Sequence, residues 1–443
     1  MRVIRSCRSL GIETVLAASE ADMNSLPARF ADRTLCIGPA RPSESYLKVD
    51  TIVQAALGAG AEAIHPGYGF LSERAALARL CEEESVIFVG PTSVQIEAVG
   101  DKLRARAEAE AAGVPTAPGG PVETLGEAMT LGREIGPPLL IKAVGGGGGR
   151  GMKRVDRLED LADAMKLAAA EAGAAFGDAR VYLERFVARG RHVEVQVLGD
   201  GEGHVVHLGD RDCSVQRRYQ KLIEETPAPG LSADFRARIH AAGAQFAERL
   251  SYRSAGTVEF LVDVERDAFF FLEMNARIQV EHPVTEAVTG VDLVAEQIAI
   301  ADGRGLRLKQ ADIKRDGCAI ECRINAEDPA RDFHPSPGTV RTAVWPSGQG
   351  VRVDTHVVSG ACIPPFYDSL MAKIIAHGPN RSSALERMRR AVAETRIEGV
   401  ATNLAFHADV LADPEFERGG VDTSYVPRFL ERRRPPQEVT AHG

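Results

Sequence analysis

The sequence predicts a multidomain protein of α/β and α+β class, and three observations carry that expectation. The first hundred residues alternate helical patterns with the short apolar runs ETVLAA, TLCIG, AEAIHPG and VIFVG, the rhythm of βαβ units. The stretch GTVEFLVDVERDAFFFLEMN is two apolar runs separated by Glu265, Arg266 and Asp267, a hairpin signature. From CAIECRINAEDP onward the chain reads as β-rich and then helical. A length of 443 residues suits about two to four domains, and 44% hydrophobic with 26% charged content is ordinary for a globular chain with a large core.

Taken in order, residues 1–10 read as a helix with Val3, Ile4, Cys7 and Leu10 on one face and Gly11 as its C-cap. The βαβ layer of residues 1–100 thus opens on a crossover helix and lacks a first strand. A second domain spans 101–305 and includes a subdomain at about 114–187, which holds LLIKAVGGGGGRGMKRV and VYLERFV. The Ala-rich stretch at 162–175 reads as a helix. A third domain covers 306–431, and the tail 432–443 is expected to be disordered because its Pro and charge content leaves little apolar surface to bury.

Chemistry concentrates in two places. In FFFLEMNARIQVEHP, Glu273, Asn275, Arg277, Gln279 and Glu281 recur at every second position, between Met274, Ala276, Ile278 and Val280. A strand sends such a polar set to one face. If the hairpin centres on Arg266, Val258 pairs with Met274, Phe260 with Leu272 and Val262 with Phe270. The same register puts Glu259 directly across from Glu273, about 4.5 to 5.5 Å apart at Cβ, where like charges repel unless a divalent cation sits between them. Glu273 and Glu281 would lie about 26 Å apart in an extended strand at roughly 3.3 Å per residue, so the strand should end near Asn275. RIQVEHP then curls back, with Pro283 helping to stop the strand.

The second place is the glycine run. Leu139, Leu140 and Ile141 form a short strand ending at Lys142, and Gly145 to Gly149, Arg150 and Gly151 precede MKRV. This loop joins two strands and matches neither a P-loop nor a dinucleotide fingerprint. Glycines let backbone N–H groups approach phosphate oxygens and let the loop move as a lid, and Lys142 is a point charge suited to polyphosphate.

Composition excludes several classes. A net charge of −9 gives no basic footprint for nucleic acid. The seven cysteines are spread singly, and Cys318 with Cys322 has no second pair to complete a zinc site. With no long apolar run and no signal peptide in the sequence, a cytoplasmic location without membrane contact is expected.

The strings HPGYGFLSE, KAVGGGGGRGM, RDCSVQRRYQKLIEETPAP, EMNARIQVEHPVTE, INAEDP, SPG and PPFYDSL, in this order, resemble biotin carboxylase of the ATP-grasp superfamily over nearly the whole chain. The resemblance implies an ATP-grasp fold with an N-terminal βαβ domain and a β-rich C-terminal domain. The implied reaction is ATP-dependent carboxylation of biotin by bicarbonate through carboxyphosphate, with Mg²⁺ or Mn²⁺. It implies that Lys102, Lys142, Gly146, Gly147, Gly148, Glu184, Val187, His192, Gln216 and Tyr219 line the ATP site. Glu259, Glu273 and Asn275 resemble the metal ligands. Lys221, Arg277, Gln279 and Val280 resemble the bicarbonate clamp, Glu281 the general base, and Arg352 in GVRVDTHV the arginine near the biotin ureido oxygen.

Two departures stand out. The family's opening strand with its Asn-Arg-Gly-Glu turn does not precede the first helix, for which a start annotated too far downstream is the expected explanation. Tyr219 stands where the family usually has His, and cannot carry positive charge near neutral pH. GMKR at 151–154 and MAKI at 371–374 do not match a biotin attachment turn, so the carrier is expected to be another chain. The expected partners are a biotin carboxyl carrier protein and carboxyltransferase subunits, in a homodimeric subunit of acetyl-CoA carboxylase or a related acyl-CoA carboxylase. The alternatives are another ATP-grasp carboxylate–amine ligase, or a degenerate subunit without activity.

Overall fold

A computed structural model describes residues 1–145 and 151–433. Its first element is the helix Arg2–Ser9, with Leu10 at the C-cap and Gly11 at φ 71° just beyond. Ile4 and Cys7 are buried and Val3 packs against the cluster around Leu293, but Leu10 is 40% exposed. It sits past the last turn, so the apolar face stops one residue sooner than its spacing suggests.

All four apolar runs of the first region are strands. β1 (Val15–Ala18) pairs in parallel with β2 (Arg33–Cys36), and β3 (Ala63–Ile64) with β4 (Ile87–Phe88). They form two separate two-stranded sheets in place of one continuous layer.

Next come β5 (Gly119–Val122), β6 (Leu139–Ala143), β7 (Met152–Val155) and β8 (Val181–Arg185), an antiparallel sheet in the order β5-β8-β6-β7. Helices Leu125–Ile135 and Leu161–Phe176 pack on it over Leu139, Ile141, Leu161 and Leu183. The first of these helices starts at a capping box, Thr124 with Glu127, which satisfies two orphan backbone donors. β6 and β7, which flank the glycine run, pair antiparallel with Lys142 opposite Met152, and residues 146–150 of the expected loop lie outside the described residues.

The site is carried by an eight-stranded sheet. Its members are β9 (Arg191–Asp200), β10 (Val205–Arg217), β11 (Gln220–Thr226), β12 (Arg253–Asp263), β13 (Ala268–Asn275), β14 (Cys318–Asn325) and the strands Val351–Thr355 and Leu370–Gly378. The order runs β13-β12-β9-β10-β11-β14, then Leu370–Gly378 and Val351–Thr355 at the edge. The sheet is continuous from the central region into the C-terminal one. Val193, Val195, Val258, Phe260 and Val262 turn one face toward helix Ala233–Arg249, where Phe235, Ile239 and Phe246 complete the core.

The hairpin of β12 and β13 keeps the expected register at Val258–Met274 and Glu259–Glu273, but a bulge follows. Phe260 then pairs with Phe271 and Val262 with Phe269, not with Leu272 and Phe270. The extra residue swaps the alternation so that Phe269 and Phe271 enter the core, where Phe271 meets Phe246 at a ring-centroid distance of 4.7 Å. Strand β13 ends at Asn275, as its length requires. Pro283 lies in the first turn of helix His282–Thr289, where a missing N–H is tolerated, so it starts a helix rather than stopping a strand.

Beyond β14 the helices Arg381–Glu394, Leu404–Leu411 and Tyr425–Arg432 pack on the other end of the sheet. The expected disordered tail of 432–443 begins too early, since Arg432 closes the helix Tyr425–Arg432 and Arg433 is its C-cap; residues 434–443 lie outside the described residues. Among the described residues no helix is long and apolar enough to cross a membrane.

Candidate active site

Strand pairing lines up four charged residues in one row. Arg211 of β10 faces Glu194 of β9, Glu194 faces Glu259 of β12, and Glu259 faces Glu273 of β13. Neighbouring strands are about 4.8 Å apart, so three stacked carboxylates repel strongly unless cations intervene. Arg211, fully buried, donates to Glu194 at 2.5 Å and holds Gln196, Thr257, Gln279 and Thr285 with its other N–H groups. Lys221 is the second cation. Its ammonium reaches Glu194 at 2.6 Å, Glu259 at 2.9 Å and Glu281 at 2.7 Å.

Glu259 is heavily supplied with donors. Besides Lys221, Asn275 Nδ2 and Gln279 Nε2 each lie 2.9 Å from its Oε1, and His192 Nε2 lies 3.0 Å from Oε2. Burial alone would raise its carboxyl, but Lys221 and His192 hold it well below the usual range. Glu273 is the opposite case. Among the described residues no side chain donates to its carboxylate, and burial with the Glu259 charge pushes it up despite the pull of Lys102. An under-supplied acid beside a fully ionised one suits a hard cation, since Mg²⁺ takes one or two carboxylates and completes its shell with phosphate oxygens. Glu273, Glu259 and the Asn275 amide oxygen fit that chemistry.

After Asn275 the chain folds back and returns its polar residues to the same spot. Arg277 donates to Asn275 Oδ1 at 2.8 Å and to Glu73 at 2.8 Å. Gln279 spans Arg211 and Glu259. The Val280 carbonyl accepts from Lys373. Glu281, at the N-cap of helix His282–Thr289, meets Lys221 through Oε1 and Arg323 through Oε2, the latter at 2.9 Å. Burial would raise the Glu281 carboxyl, yet Lys221, Arg323 and Arg211 together hold it far below the ordinary carboxylate range. Those three cations favour its carboxylate form.

A neighbouring pocket is lined by Lys102, Lys142, Tyr182, Glu184, Phe271 and Leu272, among others. Lys142 pairs with Glu184 and its ammonium sits 5.8 Å from the Tyr182 ring centroid. Val187 is buried just beyond β8. Gln216 is buried and paired across Lys221. Tyr219 occupies the two-residue turn between β10 and β11, where it and Arg218 take left-handed φ values of 65° and 49°. Gly146, Gly147 and Gly148 lie outside the described residues.

Arg352 is not part of this assembly. Its fork grips Asp354 at 2.7 and 3.0 Å and reaches Glu286 at 2.8 Å, so its donors are spent on another cluster. The arginine that touches Glu281 is Arg323, in the string CRIN of β14. Sequence reading also passed over Glu194, Arg211, Glu73 and Glu224. The signal was present for Glu194 and for Arg323: RHVEVQV alternates His192, Glu194 and Gln196 with valines, and CAIECRIN alternates Glu321, Arg323 and Asn325 with apolar residues.

A pocket edged by two lysines, a pair of glutamates suited to a cation on adjacent strands of one antiparallel sheet, and a carboxylate clasped by cations fit an ATP-grasp ligase. The family comparisons agree. Residues 1–96 match the model of the biotin carboxylase N-terminal domain, 101–309 that of the carbamoyl-phosphate synthase L chain ATP-binding domain, and 321–428 that of the biotin carboxylase C-terminal domain. The chain is 49% identical over 428 residues to biotin carboxylase of Nostoc sp., covering 96% of each. It superposes with TM-score 0.92 and 45% identity on the biotin carboxylase domain of Hydrogenobacter thermophilus 2-oxoglutarate carboxylase, solved as a dimer with MgADP, ADP and bicarbonate, covering 97% of this chain and 95% of that one. The Campylobacter jejuni biotin carboxylase structure gives TM-score 0.93 at 42% identity, covering 96% of each. The chain belongs to the biotin carboxylase family.

Proposed function

We propose a division of labour for this family's reaction, the ATP-dependent carboxylation of biotin by bicarbonate. Lys102, Lys142, Glu184, Val187, His192, Gln216 and Tyr219, with Gly146 to Gly148, serve ATP. Glu259, Glu273 and Asn275 hold Mg²⁺ or Mn²⁺, which when bound neutralises phosphate charge. Bicarbonate lies against Lys221, Arg277, Gln279 and the Val280 N–H. Glu281 removes its proton, and the freed oxygen attacks the γ-phosphorus, breaking its bond to the β-phosphate oxygen so that ADP leaves and carboxyphosphate forms. Carboxyphosphate splits into CO₂ and phosphate, the phosphate takes the ureido proton of biotin, and the deprotonated ureido nitrogen attacks the carbon of CO₂ to form carboxybiotin. Arg323, in place of Arg352, steadies the oxygen that becomes negative.

The observation that carries this reading is the double contact of Glu281 with Lys221 and Arg323, which puts a base between an anion clamp and a second cation. Biotin comes on a separate carrier chain and the carboxyl group leaves to a carboxyltransferase subunit. Acetyl-CoA carboxylase is the parent we infer, in a homodimeric arrangement, the latter supported by the dimer described for the Hydrogenobacter domain. The test is ATP cleavage with Mg²⁺, bicarbonate and free biotin. Stimulation by both bicarbonate and biotin is expected, with a loss of about 10² to 10⁴ in Glu281→Gln. Cleavage indifferent to biotin overturns the substrate, and a Glu281→Gln variant within tenfold of the parent overturns the base.

A further inference from the structure

Behind Glu281 the sheet buries two acids that the proposed chemistry leaves unused. Glu224 of β11 lies directly across from Glu321 of β14, and both are 0% exposed. Arg323, two residues beyond Glu321 on the same strand face, donates through Nε to Glu224 Oε1 at 2.6 Å and through its NH2 group to Glu281 Oε2 at 2.9 Å. The remaining Glu224 oxygen and both Glu321 oxygens are buried without a hydrogen-bond partner among the described residues.

Three orphaned carboxylate oxygens in one opposed pair demand an explanation, because each unmet buried acceptor costs its desolvation and an unpaired buried charge costs more. Opposed carboxyls sit about 4.5 to 5.5 Å apart at Cβ, within reach of a shared proton. The charged groups that face the pair are Arg323 on the same strand, Lys373 on the neighbouring strand, and Lys221 and Glu281 toward the site. Lys373 is not spent on Glu321: it donates to the Val280 carbonyl, and the carboxylate it approaches, at 4.0 Å, is Asp354.

We propose that Glu321 is a neutral acid whose O–H group donates to the free oxygen of an ionised Glu224, making Glu321 and Glu224 positioning residues that hold Arg323 against Glu281. The order of groups is then acid, carboxylate, guanidinium, carboxylate, and every orphan but one Glu321 oxygen is satisfied. Burial pushes the Glu321 carboxyl well above its usual range against the pull of Lys373, which accords with a retained proton. Burial also pushes Glu224 up to about 7 despite Arg323, so a donated hydrogen bond matters for keeping it ionised. No proton is consumed or released.

The proposal rests on Glu281 being the base, and the test separates the two ideas. Glu321→Gln keeps a neutral donor and should keep kcat within about twofold, whereas Glu321→Leu removes it and should lower kcat about ten- to a hundredfold. In Glu321→Leu, Glu224 takes up its proton nearer neutrality, so the acid limb of the kcat profile should move to higher pH. A Glu321→Gln variant as impaired as Glu321→Leu, or an unmoved acid limb, overturns the proposal. Infrared spectroscopy of the folded parent protein at neutral pH should show a protonated carboxyl band that Glu321→Gln lacks. Absence of that band overturns the proposal even if Glu321→Leu fails to fold or the parent proves inactive on biotin.

Discussion

Two charge networks meet on helix His282–Thr289, and they differ in what they leave free. At the N-cap, Lys221 is divided among Glu194, Glu259 and Glu281, while Glu273 has no donor among the described residues. Toward the helix end, Glu286 accepts from Arg2 at 2.6 Å, from Arg352 at 2.8 Å and from the Leu293 N–H. Asp354 fills the remaining fork of Arg352, and Asp292 takes Arg2 with help from Ser6. There each arginine has two carboxylates and each carboxylate is met. A closed network of this kind locks elements together, here the first helix, helix His282–Thr289 and the edge strand Val351–Thr355. An open network with one over-shared cation and one unmet acid has capacity for a metal and an anion.

The sharpest way to break that comparison is Lys221→Met. It takes a shared cation from three buried carboxylates at once, so we expect loss of bicarbonate-dependent turnover and a stability loss of about 3 to 5 kcal/mol by urea denaturation. Because the acids that lose Lys221 include a metal ligand, added Mg²⁺ should restore part of that stability. If Mg²⁺ restores nothing, the row of glutamates is not a cation site.

Next in size is the contrast of two arginines. Arg323→Ala removes the cation on Glu281 and should lower kcat about 10² to 10³. Arg352→Ala opens the closed network, and should cost about 1 to 3 kcal/mol of stability while leaving kcat per folded molecule unchanged. Steady-state assays on both variants at matched folded fraction decide the matter, and equal losses in kcat would erase the distinction between the networks.

That contrast also marks how far the sequence could be read. Glu259 and Glu273 were legible because a period of two in adjacent runs dictates facing pairs, and the pairing at Glu259 survives the later bulge. The bulge itself was not legible, since Phe269 to Leu272 are all apolar and any of them could enter the core. Arg323 and Arg352 sit in strand patterns of the same quality, RIN and VRVDT. What separates them is which strand lies beside Glu281, and that depends on the order of an eight-stranded sheet, not on local spacing. The turn at Arg218 and Tyr219 carries no Gly or Asn, so its left-handed backbone had no residue signal. The alternating polar residues of RHVEVQV did carry a signal, and they supply Glu194, the acid that completes the row.

The smallest expected effect tests whether the closed network is held by charge. Burial raises the Asp354 carboxyl, but hydrogen bonds from Arg352 and the nearby Lys373 outweigh it and lower it below 3.8. A folded-state value depressed below the unfolded one stabilises the protein above the unfolded value, and that contribution disappears as pH falls through the folded value. Asp354→Asn keeps the shape but has no charge to titrate. The parent should therefore exceed Asp354→Asn by about 1 kcal/mol at neutral pH, a figure kept small because the Arg352 side chain is partly solvated. The gap should narrow progressively below about pH 4 in urea titrations. A gap that stays constant into that range would mean Asp354 acts through hydrogen-bond geometry alone, and the closed network would then owe its tightness to fit rather than to charge.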